Sequence, residues 1–269
     1  MSFEEFMRQG FILLDKEDFG GAIESFRNAV RIEPMNPDGW FYLGEAYKGK
    51  GKLGDAIRSL KKVLGMKPND VSAWLELGDA YRSKGKRDNE IESYVKATRL
   101  DPSSETAWFA LGGAYGEIGQ HDEAGKCFEK AVSIDKTFFE AWYNLGVTHG
   151  IRGAHDKEID CYKKALEVNP KYSLSWMNLG VEYGRISEHG KEIVCYEALL
   201  SIDAQDSCGW YNLGMAYLSI EKEGRALYCF DRAGKLGLQE ALKETARLLG
   251  RGVKSEEFEP RVGSLHDLS

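Results

Sequence analysis

Six tryptophans stand at equal intervals along the chain, and this period constrains the fold more than any other feature of the sequence. Each lies 34 residues after the one before it, at Trp40, Trp74, Trp108, Trp142, Trp176 and Trp210. A glycine keeps the same interval through seven units, from Gly10 to Gly214. A period of about 20–50 residues is typical of proteins built from stacked structural repeats. The spacing therefore predicts an array of repeated units rather than one or two globular domains.

Each unit also carries two helical patterns. Trp40, Leu43, Gly44 and Tyr47 stand at positions i, i+3, i+4 and i+7, which lie on one face of an α-helix. A second stretch, such as residues 124–131, repeats apolar residues at i, i+4 and i+7. Glycine-containing turns separate the two stretches in most units, and proline follows the second stretch in four of them. The pattern predicts a helix-turn-helix unit that buries its apolar face only by stacking on its neighbours.

The recurring residues resemble the motif of the tetratricopeptide repeat (TPR) family. Residues 38–47 (Asp-Gly-Trp-Phe-Tyr-Leu-Gly-Glu-Ala-Tyr) and residues 141–146 (Ala-Trp-Tyr-Asn-Leu-Gly) carry its tryptophan, leucine and glycine pattern. The resemblance implies an all-α fold, a right-handed α-solenoid of seven helix-turn-helix repeats within a single domain over residues 1–250. The expected repeats are 3–36, 37–70, 71–104, 105–138, 139–172, 173–206 and 207–240.

The C-terminal part of the chain follows a different pattern. Residues 239–250 form an amphipathic stretch, and a solenoid needs such a helix to cover its last exposed face. We therefore predict a C-terminal capping helix there, and we expect the polar residues 251–269 to form a flexible tail. Repeats six and seven have Ser187 and Glu221 where other repeats have a turn glycine, which leaves the geometry of those turns open.

The composition excludes several classes of protein. A net charge of −7 argues against a nucleic-acid binder, and a hydrophobic content of 42% argues against disorder. No apolar run approaches the eighteen or so residues that a membrane span needs. The N-terminus lacks the basic and apolar regions of a secretory signal, and the odd number of cysteines fits a reducing compartment. We therefore expect a cytoplasmic protein without a membrane span.

One stretch of the chain is basic despite the acidic total. Residues 48–87 hold eleven Lys or Arg against four acidic residues, and many of the basic side chains fall at the turns of repeats two and three. A solvated edge is one interpretation of this stretch. The other is a patch that binds an acidic protein or another anionic surface.

The sequence offers no constellation of residues that suggests catalysis. Four cysteines stand one period apart, at Cys127, Cys161, Cys195 and Cys229. Neighbouring hairpins pack roughly 8–10 Å apart, which is too far for a shared zinc ion, so we interpret these cysteines as small packed residues. Nothing pairs the three turn histidines with a nucleophile or a second ligand. We therefore expect a protein that is not an enzyme and holds no cofactor or metal.

The predicted binding surface is the outward face of the first helices, which the resemblance places on the concave side of the solenoid. This face is charged in repeats two and three, whereas in repeats five to seven it carries amide and apolar side chains. The amides are Asn144, Asn178 and Asn212, and the apolar neighbours are Tyr143, Met177, Tyr211, Val147, Val181 and Met215. An amide donates and accepts hydrogen bonds at once, which suits the backbone of an extended peptide. The alternative is that asparagine is simply a favoured residue of the family's helices.

The leading hypothesis is a non-enzymatic scaffold that binds an extended peptide or partner segment in the concave groove. TPR domains that clamp the acidic C-termini of chaperones use a lysine just after the tryptophan position and asparagines four residues beyond it. This chain has residues such as Phe41 and Glu45 at those positions, so we do not expect a carboxylate clamp.

Three other hypotheses remain open at this point. The apolar first helix, with Phe3, Phe6 and Phe11, suggests a scaffold that self-assembles by stacking its terminal repeats. The tail near Phe258 could dock in the groove and control access to it. The chain could also be the regulatory repeat domain of a larger enzyme complex, although 269 residues leave no room for a catalytic domain of its own.

Overall fold

The 34-residue period folds as consecutive pairs of α-helices. A computed structural model of the protein describes residues 1–268, and over those residues it contains fifteen α-helices, one short 3-10 helix and no β-strand. The all-α prediction is thereby confirmed. No helix in the described part of the chain combines the length and the apolar character needed to cross a membrane.

The helices form two compact units. The first unit runs from Met1 to Asp135 and contains eight helices. They are α1 (Phe3–Asp15), α2 (Phe19–Ile32), α3 (Pro37–Gly49), α4 (Leu53–Met66), α5 (Val71–Ser83), α6 (Arg87–Leu100), α7 (Glu105–Glu117) and α8 (His121–Ile134).

The second unit begins at Lys136 and continues to the end of the described residues. It contains α9 (Phe139–Ile151), α10 (His155–Val168), α11 (Ser173–Arg185), α12 (His189–Ile202), α13 (Ser207–Ser219), α14 (Glu223–Lys235), α15 (Gln239–Gly250) and a 3-10 helix (Leu265–Leu268). The odd-numbered helices α1 to α13 begin at the first residues of the seven expected repeats, and α15 spans the stretch predicted as a capping helix.

Local hydrogen bonds fix the start of several first helices. Ser2 and Glu5 form a capping box at α1, in which each side chain accepts a hydrogen bond from the backbone N–H of the other residue. Asp70 and Asp206 accept hydrogen bonds from the first turns of α5 and α13. Pro37 opens α3, where its missing N–H costs no helical hydrogen bond.

The turn between the two helices of a repeat has the same geometry whether or not it contains glycine. Gly51, Gly85, Gly119 and Gly153 occupy this turn with φ between 69° and 76°. Glu17, Ser187 and Glu221 occupy the equivalent position with φ of 57° to 61°. The packing of the two flanking helices therefore holds three non-glycine residues in the left-handed region, which L-amino acids rarely adopt. This settles the turn geometry that the sequence left open for repeats six and seven.

The repeat glycine lets the two helices of a hairpin approach closely. In α7, a Cβ atom placed on Gly112 would lie 2.7 Å from the ring of Phe128 on α8. Six of the seven repeat glycines face an aromatic ring of their own repeat in this way, whereas Gly44 faces Leu60. The Phe128 ring lies buried against the glycine backbone, as do Phe26 in the first repeat and Phe230 in the seventh. The glycine and the large side chain that it faces together form the centre of each hairpin.

Each repeat tryptophan is fixed by a hydrogen bond of its own. The indole Nε1 donates to the backbone carbonyl six residues earlier, at distances of 2.8–3.0 Å. The carbonyl belongs to the turn that precedes the first helix, so the bond ties the start of that helix to the preceding segment. It also satisfies a polar group that would otherwise be costly to bury.

The apolar residues of α1 pack largely within their own unit. Phe3 and Met7 are buried, and Phe6 and Leu14 pack against the same core. The exposed apolar side chains of this helix are Phe11 and Ile12, which are 36% and 50% exposed. Most of the apolar surface that suggested stacking through the first repeat is therefore already covered.

The C-terminal segment, which the sequence suggests is flexible, lies against the second helices of its unit. Phe258 packs among Trp210, Tyr217 and Tyr228, with ring centroids 5.4–6.4 Å apart. Further along, the 3-10 helix contacts α10 and α12, and Leu268 is buried. The segment thus docks on the second helices and on the side of α13 that carries Trp210 and Tyr217, and not on the asparagine face of the first helices.

We expect Gly112→Ala to destabilise the first unit by about 1–3 kcal/mol, because the new methyl group overlaps the Phe128 ring. Gly113→Ala is the matched control, since its Cβ would meet only the end of the Arg82 side chain at 3.7 Å. This control should be neutral or stabilising by up to about 1 kcal/mol. Urea unfolding of both variants measures the difference, and equal effects would contradict the packing role of Gly112.

We expect Phe258→Ala to release the C-terminal segment at a cost of about 2 kcal/mol, because the ring is the segment's aromatic anchor. Trypsin should then cleave after Lys254 and Arg261 faster than in the wild type. Val262→Ala is the control, because Val262 lies in the same segment and is 86% exposed. Cleavage at an unchanged rate in the Phe258 variant would show that the segment is not anchored there.

Candidate functional site

The nine residues predicted to bind a partner all lie on the first helices of the second unit. Each of α9, α11 and α13 contributes an asparagine, a large apolar residue just before it and an apolar residue three positions after it. The helical period of 3.6 residues brings these three positions onto one face of each helix. The structure thus brings the predicted set together within a single compact unit.

The asparagine side chains link consecutive first helices. Asn178 Nδ2 donates to the Tyr143 hydroxyl at 3.3 Å, and Asn212 Nδ2 donates to Met177 Sδ at 3.4 Å. Each bond joins residues 35 positions apart, one period plus one residue, so it runs from one repeat back to its predecessor. We call this series the amide ladder. It makes the outward faces of α9, α11 and α13 one continuous surface.

The first asparagine of the series has a different partner. Asn144 Nδ2 donates to the Glu140 carbonyl within α9, at 2.8 Å. The hydrogen bonds of all three amides use Nδ2, and among the described residues none of the three Oδ1 atoms accepts a hydrogen bond. Each asparagine thus has an acceptor available for a backbone N–H from outside.

Apolar side chains flank the amides on this face. Val181 is 51% exposed and Met215 is 42% exposed, whereas Val147 is half-buried. Leu174 on α11 is 51% exposed and borders the same face. Leu174 stands two residues before a repeat tryptophan, so the sequence places it on the outward side. Its value for binding a partner depends on how exposed it is, which the sequence does not give.

Aromatic packing fixes the large residues of the face. Tyr143 lies 5.8 Å from Tyr162 and 5.3 Å from Tyr172, measured between ring centroids. Tyr211 lies 5.5 Å from Phe230. Packing against two rings limits the rotamers of Tyr143, which lowers the entropy lost when a partner contacts it. Tyr162 and Tyr172 are parts of this site that the sequence analysis did not single out.

A buried polar network lies directly beneath the amide ladder. The Tyr162 hydroxyl is 3.4 Å from Asn178 Nδ2 and donates to Glu158 at 3.1 Å. Burial, with Glu158 adding to the effect, holds the pKa of Tyr162 well above its ordinary value, so the hydroxyl stays protonated and remains a donor. The network therefore connects the outward face of α11 to the interior of the hairpin formed by α9 and α10.

The network continues to the next repeat through a histidine. His155 Nδ1 lies 3.5 Å from Glu158 and 2.8 Å from Glu182 on α11, and Arg185 also pairs with Glu182 through a bond of 2.7 Å from its Nε. Burial raises the pKa of Glu158 above its ordinary value, and the neighbouring Glu182 adds to the effect. A glycine at position 150 makes room for the Glu158 carboxylate, because a Cβ there would lie 2.5 Å from it.

The His155, Glu158 and Glu182 group is the one set of side chains in the described residues close enough to share a metal ion, with ligand atoms within 4.8 Å of one another. Its members are already engaged, since Tyr162 donates to Glu158 and Arg185 donates to Glu182. A cation would compete with Arg185 for the Glu182 carboxylate. We therefore interpret the group as an ion-pair network that joins α10 to α11.

The same outward face is charged and internally paired in the first unit. Lys48 pairs with Glu76 and lies 3.8 Å from Asp79, and the Tyr94 hydroxyl donates to Asp79 at 2.5 Å. Arg82 Nε lies 2.7 Å from the buried Glu90. Because these charged side chains pair with one another, the outward face of the first unit offers a partner fewer unpaired polar groups than the amides of the second unit do.

The four periodic cysteines lie buried in the second helices α8, α10, α12 and α14, whereas Cys208 is exposed. Burial raises the pKa of Cys127 to about 12, so its thiol stays protonated at neutral pH. These cysteines pack among apolar residues, as the sequence analysis predicted.

Profiles of known families match several parts of the chain. A profile described as TPR repeat matches residues 10–51 and 78–119. Profiles described as Tetratricopeptide repeat match residues 37–70, 105–138 and 139–172. Together these matches cover more than half of the chain. Comparison with curated protein sequences gives no match.

Several solved structures resemble this one. MamA protein is 28% identical, with 66% of this chain and 94% of MamA covered and a TM-score of 0.58. The C-terminal part of a TPR repeat-containing protein from Cytophaga hutchinsonii is 16% identical over 88% of this chain and 98% of its own, with a TM-score of 0.73. YrrB, a TPR protein, is 21% identical over 70% of this chain and 97% of its own, with a TM-score of 0.61. For the two proteins that are 16% and 21% identical to this chain, the similarity shows a shared fold only.

We expect Glu158→Gln to stabilise the protein relative to the wild type more at pH 7 than at pH 4. The raised pKa of Glu158 means that its ionised form is disfavoured in the folded state, so the wild type loses stability as pH rises from about the ordinary value of 4.5 through the folded pKa. Glutamine keeps the shape and removes this loss. Urea unfolding at several pH values measures the difference, and Glu167→Gln on the exposed side of α10 is the control. A difference that does not change with pH would contradict the assignment.

Proposed function

The chain belongs to the tetratricopeptide repeat family, and from this premise we propose that it is a non-enzymatic scaffold that binds an extended peptide segment on the outward faces of α9, α11 and α13. The observation that carries the proposal is the amide ladder with exposed apolar side chains on both sides of it. Extended surfaces formed by consecutive repeats are the usual binding surfaces of repeat proteins.

The amides supply the polar part of the proposed contact. An extended peptide presents alternating N–H and C=O groups that lose their hydrogen bonds to water when they are covered, and each needs a partner. The Oδ1 atoms of Asn144, Asn178 and Asn212 can accept from the peptide N–H groups. Their Nδ2 groups are already held by contacts within the protein, so the acceptors are pre-oriented. Pre-orientation reduces the entropy lost on binding.

The apolar side chains supply the energy of burial. Leu174, Val181 and Met215 are each more than two-fifths exposed, and covering them yields about 25 cal/mol per Å2 of apolar surface. Methionine adapts its shape to different partners, so the C-terminal end of this face would tolerate some variation in the bound side chain.

We favour the second unit over the first as the binding site because the polar groups on its outward face are not taken up by ion pairs within the protein. A partner on the first unit would have to break ion pairs such as that of Arg82 and Glu90 or work around them. YrrB, which shares the fold, is a TPR protein with an unusual peptide-binding site. The proposal for this chain stands on the face itself.

We also propose that the protein works without a cofactor in a reducing compartment such as the cytoplasm. Five cysteines are present as free thiols, of which four are buried in neighbouring second helices. Oxidation of such buried thiols would disturb the packing of the hairpins.

The test begins with a displayed library of random peptides, selected against the purified full chain. We expect Asn144→Ala/Asn178→Ala/Asn212→Ala to weaken binding of the selected peptides about tenfold or more. The reason is that three side-chain oxygens that would accept hydrogen bonds from the peptide backbone are lost. Isothermal titration calorimetry measures the affinities. The control is Asn69→Ala/Asn89→Ala, which removes two exposed amides from the first unit.

Two outcomes would contradict different parts of the proposal. Equal affinities for the wild type and the triple variant would contradict the location of the site. A library that yields no binding peptide would contradict peptide binding itself. Circular dichroism of each variant shows whether it remains folded, so that a lost affinity is not mistaken for unfolding.

A further inference from the structure

The six repeat tryptophans are equivalent in sequence but differ in exposure. Trp176 and Trp210 are 2% exposed, whereas Trp40, Trp74, Trp108 and Trp142 are only partly buried. The C-terminal segment lies near both buried tryptophans: its 3-10 helix contacts α10 and α12, which precede and follow the helix of Trp176, and Phe258 packs against Trp210. A segment of this chain therefore occupies a surface of the repeat that the amide ladder does not use.

The contacts of the C-terminal segment show what this surface binds. Phe258 packs against both Trp210 of α13 and Tyr228 of α14, whose rings also contact each other. We call the surface formed by these two residues with Tyr217 and Arg225 the Trp210 groove. The Arg225 guanidinium lies 5.4 Å from the centre of the Phe258 ring, and its Nε donates to Glu256 at 3.2 Å. An aromatic ring and an adjacent carboxylate are thus held together by one arginine.

The backbone of the segment is also held in the Trp210 groove. The Glu256 N–H donates to the Gly224 carbonyl at 3.0 Å, at the start of α14. Residues 255–260 read Ser-Glu-Glu-Phe-Glu-Pro, so a short acidic sequence with a single aromatic anchor is what the groove accommodates.

The equivalent position is open five periods earlier in the chain, with Asp55 in place of Arg225 and Arg58 in place of Tyr228. A cavity of about 520 Å3 lies beside Trp40 and Tyr47, the equivalents of Trp210 and Tyr217. We call it the Trp40 groove, and its basic lining residues are Arg27, Arg31, Arg58 and Lys62. Lys62 is the equivalent of Arg232, which lies 5.4 Å from the centre of the Trp210 ring.

The basic lining of the Trp40 groove favours an acidic occupant. Four basic side chains line it, and the one carboxylate among its lining residues, Asp55, is paired with Arg58. Met35 and Met66 extend the surface on the other side of the tryptophan, beside Lys61. The cavity at the next repeat, beside Trp74, is about 220 Å3 and includes Glu92, so it is smaller and of mixed charge.

We propose that the Trp40 groove is a second binding site, which takes an acidic segment of a partner polypeptide carrying one aromatic side chain. The aromatic ring lies beside Trp40 as Phe258 lies beside Trp210, and the carboxylates pair with Arg27, Arg31 and Lys62. This site is formed between second helices of the first unit, so it does not depend on the amide ladder or on the function proposed for it.

A peptide with the sequence of residues 255–260, labelled with a fluorophore, is the probe, and fluorescence anisotropy with the full chain measures its binding. Arg27→Glu/Lys62→Glu should weaken binding about tenfold, because two attractive charges become repulsive. Added salt should weaken wild-type binding as well, since exposed charges are screened. A probe in which the phenylalanine is replaced by alanine should lose its binding.

The control variant is Lys126→Glu/Lys130→Glu, which makes the same change in charge at exposed positions of α8 and should bind as the wild type does. If the probe only displaces the chain's own segment from the Trp210 groove, Arg27→Glu/Lys62→Glu will leave its affinity unchanged, and the proposal is wrong. Undetectable binding to the wild type also overturns it.

A second copy of the chain is the competing occupant, because it carries residues 255–260 itself. Sedimentation at increasing protein concentration tests this alternative. Self-association that disappears in both Phe258→Ala and Arg27→Glu/Lys62→Glu would assign the groove to a second copy and overturn the partner assignment. A protein that stays monomeric while it binds the probe supports the proposal.

Discussion

The contact between a repeat glycine and a large buried side chain of the second helix, an aromatic ring in six of the seven repeats, is the constraint on which each hairpin depends. A Cβ atom at the glycine would overlap the ring, so the two helices of a hairpin can approach to this distance only where one of them lacks a side chain. The close approach then sets where the tryptophan and tyrosine of the same helix lie, one turn before and one turn after the glycine. The face that carries the amide ladder and the tryptophan grooves are both consequences of this spacing, because they are the two surfaces left exposed once the hairpin has closed.

The repeats differ from one another mainly where polar groups enter the core. Glu90, Glu158 and Glu192 occupy a position in the second helix where other repeats have a buried alanine such as Ala56 or Ala124. A buried carboxylate needs partners: Arg82 pairs with Glu90, His155 and Tyr162 with Glu158, and His189 with Glu192. The Tyr162 partner of Glu158 also contacts Asn178, so the interior network and the amide ladder share the Tyr162 hydroxyl. The hydrogen bonds on the outward face of the second unit thus depend partly on the buried network beneath it.

Much of the fold could be predicted from the sequence because its signals are local and repeated. A period of 34 residues and a helical spacing within it are sufficient to place fourteen helices and their turns, and even Ser187 and Glu221 adopt the turn geometry of glycine. The amide ladder could be predicted only in part. The face of Asn178 follows from helical periodicity, but its bond to Tyr143 depends on the offset between two helices, which the pattern does not encode. The docking of Phe258 could not be predicted, since a single aromatic residue in a polar segment has no period.

The amide ladder has a direction. Each of its two bonds is donated by the asparagine of the later repeat and accepted by a residue of the repeat before it. The series ends at α15, where Ala246 stands at the position that Asn212 occupies one period before. An extended polypeptide also has a direction, since its N–H and C=O groups are not interchangeable on reversal. For a segment lying along α9, α11 and α13, the two orientations are therefore physically distinct, and a partner motif and its reversed sequence present different patterns of donors to the same three carbonyl oxygens.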